Sequence, residues 1–272
     1  MRFEVMRPQD YSEKRHIIYP LYLSPKLDGL RGEFYDGTFW TKTGKPIHGM
    51  REQTLILRPL RNIHLTGELL IPGLDFDDSS GRIRSHDPCP TVVFNIFDAP
   101  GLVGKTFVQR LRWYNTKAKE INSPLIQAVS HVLVRSEAEM ERMYKFYLAM
   151  GLEGVVLKTP YHYYMQGANN DGISWEWIRR KPFQTADVLV IGKYEGTGKH
   201  AGRLGGFNVL DLKTKTPSKV GGGFTDDQRE FYWLHFEKFR NKVCEITYQR
   251  RTKNGRYRHP NFARFRADAR KG

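Results

Sequence analysis

The segment KLDGLR, residues 26–31, constrains the chain more than any other feature of its sequence. An ordinary lysine, with a pKa of ~10.4, is protonated at neutral pH. A lysine that attacks a phosphate therefore needs neighbouring cations or desolvation to lose its proton. After Lys26, Asp28 offers a carboxylate for a divalent cation, Gly29 permits a tight turn, and Arg31 offers a planar fork for phosphate. Taken alone, the same six residues also fit a charged hairpin at the surface.

The composition favours a globular protein with a polyanionic partner. The chain has 272 residues, 39% of them hydrophobic, which suffices for one large domain or two small ones. Lys and Arg number 44 against 29 acidic residues, a formal charge of +15, which favours nucleic acid. Residues 238–271 interleave Lys and Arg with Tyr and Phe, as nucleic-acid surfaces do. The alternative is a basic protein whose Lys and Arg side chains are merely solvated.

The sequence gives no sign of secretion or membrane insertion. Cys89 and Cys244 are the two cysteines, too few for a disulfide framework or a four-cysteine zinc site. Residues 1–14 lack the apolar run of a signal peptide, and no segment approaches the ~20 apolar residues of a membrane span. We expect a cytoplasmic monomer without a membrane partner.

Local patterns predict alternating strands and helices in the first two-thirds of the chain. Residues 33–40 read as a hairpin turning at Asp36-Gly37, which places Lys26 on a loop just ahead of a strand pair. Ser136, Glu139 and Gly151 are capping signals for a helix over 137–150. Further elements predicted are strands at 64–71, 91–98 and 153–158 and a helix at 105–121.

The pattern changes near residue 183. Beyond it, short strands at 187–193, 206–212 and 243–250 are separated by Gly-rich turns. A helix over 226–240, capped by Thr225 with Gln228 in the box position, interrupts them. Short strands with a single helix fit a five-stranded OB barrel, a nucleic-acid-binding fold.

Six segments in order resemble the motifs of the ATP-dependent DNA ligases and mRNA-capping enzymes. They are KLDGLR (26–31), TGEL (66–69), FNIFD (94–98), EGVVLK (153–158), WIRRK (177–181) and RHPNFARFRAD (258–268). The segments at 196–206 and 222–225 resemble the DNA ligases rather than the capping enzymes. The chain departs from the family pattern at Arg179 and Ala269, where lysine is usual, and at residues 41–44, which read TKTG instead of SRNG.

The resemblance implies an α+β protein and an enzyme. Residues 1–183 would form an adenylation (nucleotidyltransferase) domain of antiparallel sheets and helices, and residues 184–272 an OB-fold β-barrel domain. The implied activity is ATP-dependent DNA ligation in replication or repair, through a lysyl-AMP and a DNA-adenylate, on nicked double-stranded DNA. ATP and Mg²⁺, or Mn²⁺, would be the cofactors. The alternatives are an RNA ligase or capping guanylyltransferase with the same lysine chemistry, and an inactive basic nucleic-acid-binding module.

The resemblance also implies a role for single residues. Lys26 would be the nucleophile, Asp28 and Glu153 would bind the metal, and Glu68 would hold the ribose. Phe97 would stack on adenine, with Phe94 as the competing register. The implied ATP or AMP contacts are Lys26, Arg31, Glu68, Phe97, Glu153, Lys158, Arg179, Lys181, Arg264, Arg266 and Asp268. The implied DNA contacts are Arg31, Lys42 and Arg203.

Overall fold

The chain divides into two compact units, Met1–Lys181 and Pro182–Gly272. A computed structural model describes residues 5–12, 16–85, 87–165 and 173–266. The second unit begins two residues before the predicted domain boundary at 184. Among the described residues, no helix is long and apolar enough to cross a membrane.

The first unit contains strands β1 to β11 and helices α1 to α4. The strands are β1 (Arg7–Asp10), β2 (Leu21–Lys26), β3 (Leu30–Tyr35), β4 (Thr38–Thr41), β5 (Pro46–Ile47), β6 (Leu65–Leu70), β7 (Val93–Asp98), β8 (Ile126–Ala128), β9 (Val132–Val134), β10 (Gly154–Lys158) and β11 (Ile173–Arg180). The helices are α1 (Arg51–Leu57), α2 (Phe76–Arg84), α3 (Phe107–Ile121) and α4 (Glu137–Ala149). The helix signals missed α1 and α2.

One sheet of the first unit has six strands in the order β5-β4-β3-β6-β7-β8. The turn between β3 and β4 is Asp36-Gly37, with φ of 49° and 69°, so the predicted hairpin is confirmed. Phe34, Phe39 and Phe94 are fully buried on this sheet, and α3 packs Phe107 into the same core. The sheet is antiparallel except for the parallel pair β7 and β8.

The other sheet has five strands in the order β1-β11-β10-β2-β9. Helix α4 covers it with Met140, Tyr144 and Tyr147. Ser136 caps α4 by accepting from the Glu139 amide, and Gly151 follows its end at φ +79°, as predicted. The placement of Lys26 on a loop was wrong. Lys26 is the last residue of β2, whose short apolar run ends in a proline and gives a weak strand signal.

The second unit has seven strands and one helix among its described residues. They are β12 (Gln184–Glu195), β13 (Leu204–Asp211), β14 (Pro217–Val220), α5 (Asp226–Leu234), β15 (Val243–Tyr248), β16 (Arg250–Arg251), β17 (Tyr257–Arg258) and β18 (Asn261–Phe265). Thr225 and Gln228 form the predicted capping box. The helix ends at Leu234 rather than 240, because a 3₁₀ turn over Phe236–Lys238 takes over.

Five of these strands form a sheet in the order β14-β13-β12-β15-β18. Its core is aromatic, with Phe207 and Phe262 buried. A single bridge between Gly222 and Asn261 links the residues after β14 to the start of β18. The described strands therefore give the five-stranded OB order, but no continuous ladder closes the predicted barrel.

Candidate active site

A cavity of about 300 Å³ in the first unit is lined by residues from both of its sheets. It gathers residues that are far apart in sequence, since β2, β10 and β11 come from one sheet and β3, β6 and β7 from the other. Seven of the predicted site residues line it: Lys26, Arg31, Lys42, Glu68, Phe97, Lys158 and Arg179.

Glu153, which is not among the residues lining the cavity, holds two of the predicted cations. Its Oε2 accepts from Lys26 Nζ at 2.5 Å, and its Oε1 lies 3.0 Å from Lys181 Nζ. Gly154 allows this arrangement, because it has φ +146° and a Cβ there would lie 2.1 Å from Arg180 O. Burial alone would raise the pKa of Glu153, but Lys26 and Lys181 outweigh it and hold the pKa below its usual value.

Glu68 approaches the turn that follows Lys26. Its Oε1 accepts from the Gly29 amide at 3.2 Å. A Cβ at Gly29 would lie 2.5 Å from Leu69 O, so glycine is required for this close approach. Burial raises the pKa of Glu68 to about 7, against the opposing charges of Lys26 and Arg31. A carboxyl group near this pKa can donate or accept a hydrogen bond at neutral pH.

The two candidate aromatic registers on β7 point to opposite sides of the strand. Phe97 lines the cavity, whereas Phe94 is fully buried and packs on Phe39 at 5.0 Å between ring centroids. An offset of three residues reverses the face of a strand, which explains the difference. The Arg31 guanidinium lies 5.3 Å from the Phe97 ring centroid.

Lys158 lines the cavity and lies among aromatic rings. Its Nζ donates to Phe97 O at 2.6 Å and lies 4.3 Å from the Trp177 ring centroid and 4.6 Å from that of Phe107. Burial lowers the pKa of Lys158 to about 7, although Asp98 opposes this. We therefore assign Lys158 to the wall that carries Phe97.

Arg31 is held on several sides. It donates to Glu33 at 2.7 Å, to Met6 O at 2.7 Å and to Tyr164 Oη at 3.3 Å. Its guanidinium is thus fixed before any phosphate binds. Lys42, in the exposed turn after β4, lines the cavity from the other side of the site.

Arg179 forms a bidentate pair with Asp10. Its Nε and Nη2 donate to the two carboxylate oxygens at 2.6 and 3.0 Å. Sequence reasoning missed Asp10 and the rest of β1, although Val5, Arg7 and Pro8 line the cavity. The four residues of β1 are polar or proline and give no strand signal in the sequence. They form a strand through their long-range pairing with β11. Reasoning also missed Ser24, Val129, Val156 and Trp177 as lining residues.

The predicted arginines of the second unit are paired within that unit. Arg264 Nε donates to Glu245 at 2.7 Å, and Arg266 reaches Asp187 at 2.9 Å and Glu245 at 3.3 Å. Arg203 lies 3.9 Å from Glu230. The predicted Asp268 lies outside the described residues.

The donor set of the first unit suits a metal ion that arrives with a nucleotide. Within the described ranges, no group of three or more His, Cys, Asp or Glu side chains could hold a metal. Mg²⁺, however, is usually bound through one or two carboxylates together with substrate phosphates. Glu153, in contact with Lys26, is one such carboxylate, and Asp28 stays a prediction from the sequence.

Comparison with known proteins relates both units to DNA ligases. Residues 195–266 match the family described as DNA ligase OB-like domain. The DNA ligase of Pyrobaculum neutrophilum is 28% identical over 187 residues, which cover 61% of this chain and 31% of that protein. DNA ligase 2 of Korarchaeum cryptofilum is 33% identical over 101 residues, covering 33% of this chain and 16% of that protein. The chain thus spans about a third of the length of the first of these relatives.

Solved structures of DNA ligases cover nearly the whole chain. A Lig E DNA ligase, described as binding DNA with a minimal scaffold, superposes with a TM-score of 0.80 at 24% identity, covering 96% of this chain and 98% of that one. The ATP-dependent DNA ligase of bacteriophage T7 in complex with ATP gives 0.54 at 18% identity, covering 97% and 98%. These two likenesses show the fold, a mixed α+β first unit followed in the chain by an OB-like unit. In fold, the chain is similar to this Lig E DNA ligase and to the ATP-dependent DNA ligase of bacteriophage T7.

Proposed function

We propose that this chain is an ATP-dependent DNA ligase that seals nicks in duplex DNA through a lysyl-AMP intermediate. The observation that carries the proposal is the position of Lys26, whose Nζ is fixed by Glu153 at a cavity with an aromatic ring on its wall. A nucleophile, an acid and surrounding cations beside a ring-lined pocket are what adenylyl transfer requires. We propose residues 1–183 as the adenylation domain and 184–272 as the OB domain.

In the first step, the unprotonated Lys26 amine attacks the α-phosphate of ATP. A nitrogen–phosphorus bond forms, the bond to the bridging oxygen breaks, and pyrophosphate leaves. Glu153 Oε2, which accepts from Nζ at 2.5 Å, would take the proton that the nitrogen loses as the phosphoramide forms. In the second step the AMP passes to a DNA 5′-phosphate, and in the third the 3′-hydroxyl displaces AMP and seals the nick.

The walls of the cavity would bind the two ends of the nucleotide. Phe97 would stack on adenine, and Glu68 would hold the ribose hydroxyls. Arg179 and Lys181 would contact phosphate oxygens, because phosphoryl transfer depends on positioning and on placed cations. Lys158 would act through Phe97 and Trp177, which its ammonium contacts. Arg264, Arg266 and Asp268 would act on ATP from the OB domain.

Glu153 and Asp28 would hold the divalent cation together with the phosphates. Mg²⁺, or Mn²⁺, would neutralise charge on the triphosphate. On the DNA, Arg31, Lys42 and Arg203 would contact phosphates. We propose nicked double-stranded DNA as the substrate, a monomer as the working form and the cytoplasm as its compartment, in replication or repair.

Two alternative functions would use Lys26 as the nucleophile, and a third would use no nucleophile. An RNA ligase would join nicked RNA, a capping enzyme would accept GTP, and an inactive binding module would form no adduct. The match of residues 195–266 to a DNA ligase OB-like domain favours ligation of DNA.

Incubation with ATP labelled at the α-phosphate, followed by nicked DNA, tests the proposal. The wild-type chain should acquire the label and seal the nick. Lys26→Ala should form no adduct but retain sealing of a nick that is already adenylated, since the lysine is needed only in the first step. Lys42→Ala is the matched control, because it removes another lysine of the cavity and should leave the adduct. Label from GTP, sealing of RNA alone, or an adduct on Lys26→Ala would contradict the proposal.

A further inference from the structure

We propose that Asp10 is a positioning residue, which orients the guanidinium of Arg179 so that its opposite edge binds a phosphate of the nucleotide. The inference rests on the proposed function, because it takes ATP as the ligand of the cavity. It also gives a physical reason for arginine at a position where the resembling family has lysine.

The pairing leaves part of the guanidinium available to a ligand. Arginine has five N–H donors in a fixed planar fork. Asp10 takes one from Nε and one from Nη2, at 2.6 and 3.0 Å, which occupies one edge of the fork. Three donors remain, including both of Nη1. Arg179 lines the same cavity as Lys26, so the remaining edge can serve a phosphate there.

The backbone holds the two partners side by side. Strands β1 and β11 are parallel, and Asp10 is opposite Arg179 in their register. The amide of Tyr11 donates to Arg179 O at 2.9 Å, which extends the pairing by one residue. Asp10 therefore needs no adjustment of the main chain to keep the guanidinium in one orientation.

The exposure of the pair argues against a role in stability. The side chains of Arg179 and Asp10 are 35% and 58% exposed. Ion pairs this exposed contribute little to folding. We therefore infer that the ion pair contributes to the orientation of Arg179, since a bidentate pair fixes the plane of the guanidinium.

Lysine in the same place would respond to Asp10 in the opposite way. An ammonium is a compact point charge without a second edge. Paired with Asp10, it would be drawn toward the carboxylate and largely neutralised. Asp10 should therefore assist an arginine at position 179 and hinder a lysine, a reversal of sign that a structural role would not produce.

Four proteins test this reversal: wild type, Asp10→Asn, Arg179→Lys and the double variant. The readouts are the KM for ATP and the maximal rate of adduct formation, the sealing of a pre-adenylated nick, and the melting temperature. Asp10→Asn should raise the KM for ATP about tenfold, because a loosened contact group costs orientation. Asp10→Glu should restore part of the loss. Glu120→Gln, which alters another exposed ion pair, is the control and should leave the KM unchanged.

The double variant decides the question. It should have a lower KM for ATP than Arg179→Lys, while sealing of the pre-adenylated nick and the melting temperature stay close to wild type. An unchanged KM in Asp10→Asn, a double variant no better than Arg179→Lys, or an equal loss in every readout would overturn the role of Asp10. If the wild-type chain forms no adduct with ATP, the proposed function is refuted and this inference falls with it. An active wild type with an indifferent Asp10 refutes the inference alone.

Discussion

The substitution Asp98→Asn should destabilise the first unit far more than its single lost charge would at a surface. Asp98 follows Phe97 on β7 and pairs with Arg110 of α3, and both side chains are 0% exposed. The carboxylate accepts from Arg110 Nε at 2.6 Å and from Nη2 at 3.1 Å, and also from the Ala99 amide at 2.8 Å. An asparagine would leave the arginine as an uncompensated buried cation.

Breaking one partner of a buried ion pair costs about 3–5 kcal/mol. For a unit of this size, each kcal/mol lowers the melting temperature by about 2–4 °C. The expected shift is therefore about 6–20 °C. Glu120→Gln is the control, because its pair with Lys117 is 55% and 34% exposed and should contribute less than about 0.5 kcal/mol.

Urea unfolding followed by tryptophan fluorescence reports mainly on the first unit. Trp40, Trp113, Trp175 and Trp177 belong to the first unit, against Trp233 in the second. Asp98→Asn should lower the midpoint of that transition. The double variant with Arg110→Met should recover much of the loss, because removing both charges leaves neither unpaired. Equal losses in Asp98→Asn and Glu120→Gln, or a double variant worse than both singles, would refute this account of the pair.

Three further outcomes are expected. Since burial raises the pKa of Glu68 to about 7 from 4.5, the folded chain binds that proton more tightly than the unfolded chain, so stability should fall by up to about 3 kcal/mol as pH rises from 4.5 to 7. Unfolding of Glu68→Gln over that pH range should lack this fall, and parallel curves would contradict it. The +15 charge predicts binding to nicked duplex that is nearly independent of sequence and weakens about 10³–10⁵-fold between 50 and 200 mM salt, if about 6–10 phosphates are contacted. A flat salt response in filter binding would contradict that. Arg264→Ala with Arg266→Ala should slow reaction with ATP more than sealing of a pre-adenylated nick, and equal effects on both would assign these arginines to DNA binding alone.

Sequence reasoning succeeded where the signal is local. The hairpin at Asp36-Gly37 and the cap at Ser136 depend on a few neighbouring residues, and the structure has both. The apolar strands β6 and β7 were predicted for the same reason. A motif also placed Phe97 ahead of Phe94 as the stacking candidate, and Phe97 is the one that lines the cavity.

It failed where a position depends on distant parts of the chain. Strand β1 pairs with β11, which lies more than 160 residues away in the sequence. The residues around Asp10 therefore do not indicate that Asp10 pairs with Arg179. The surroundings of Lys158 are a second case. The EGVVLK segment gives its spacing from Glu153, but the rings of Phe107 and Trp177 that enclose it come from other elements. The partners of a charge are tertiary facts, and they decide its chemistry.

Several cations at and beside the cavity share one feature, which is that each is paired with a carboxylate of the first unit. Lys26 and Lys181 share Glu153, Arg31 is paired with Glu33, and Arg179 with Asp10. The pairing keeps close cations from repelling one another within the fold. A bound triphosphate would have to compete with Glu153 at Lys26 and Lys181, since an ammonium is a single point of charge. At Arg179 it could bind beside the carboxylate, because Asp10 occupies only one edge of the fork. Lys26 and Lys181 would thus exchange Glu153 for phosphate, whereas Arg179 would bind phosphate and keep its pair with Asp10.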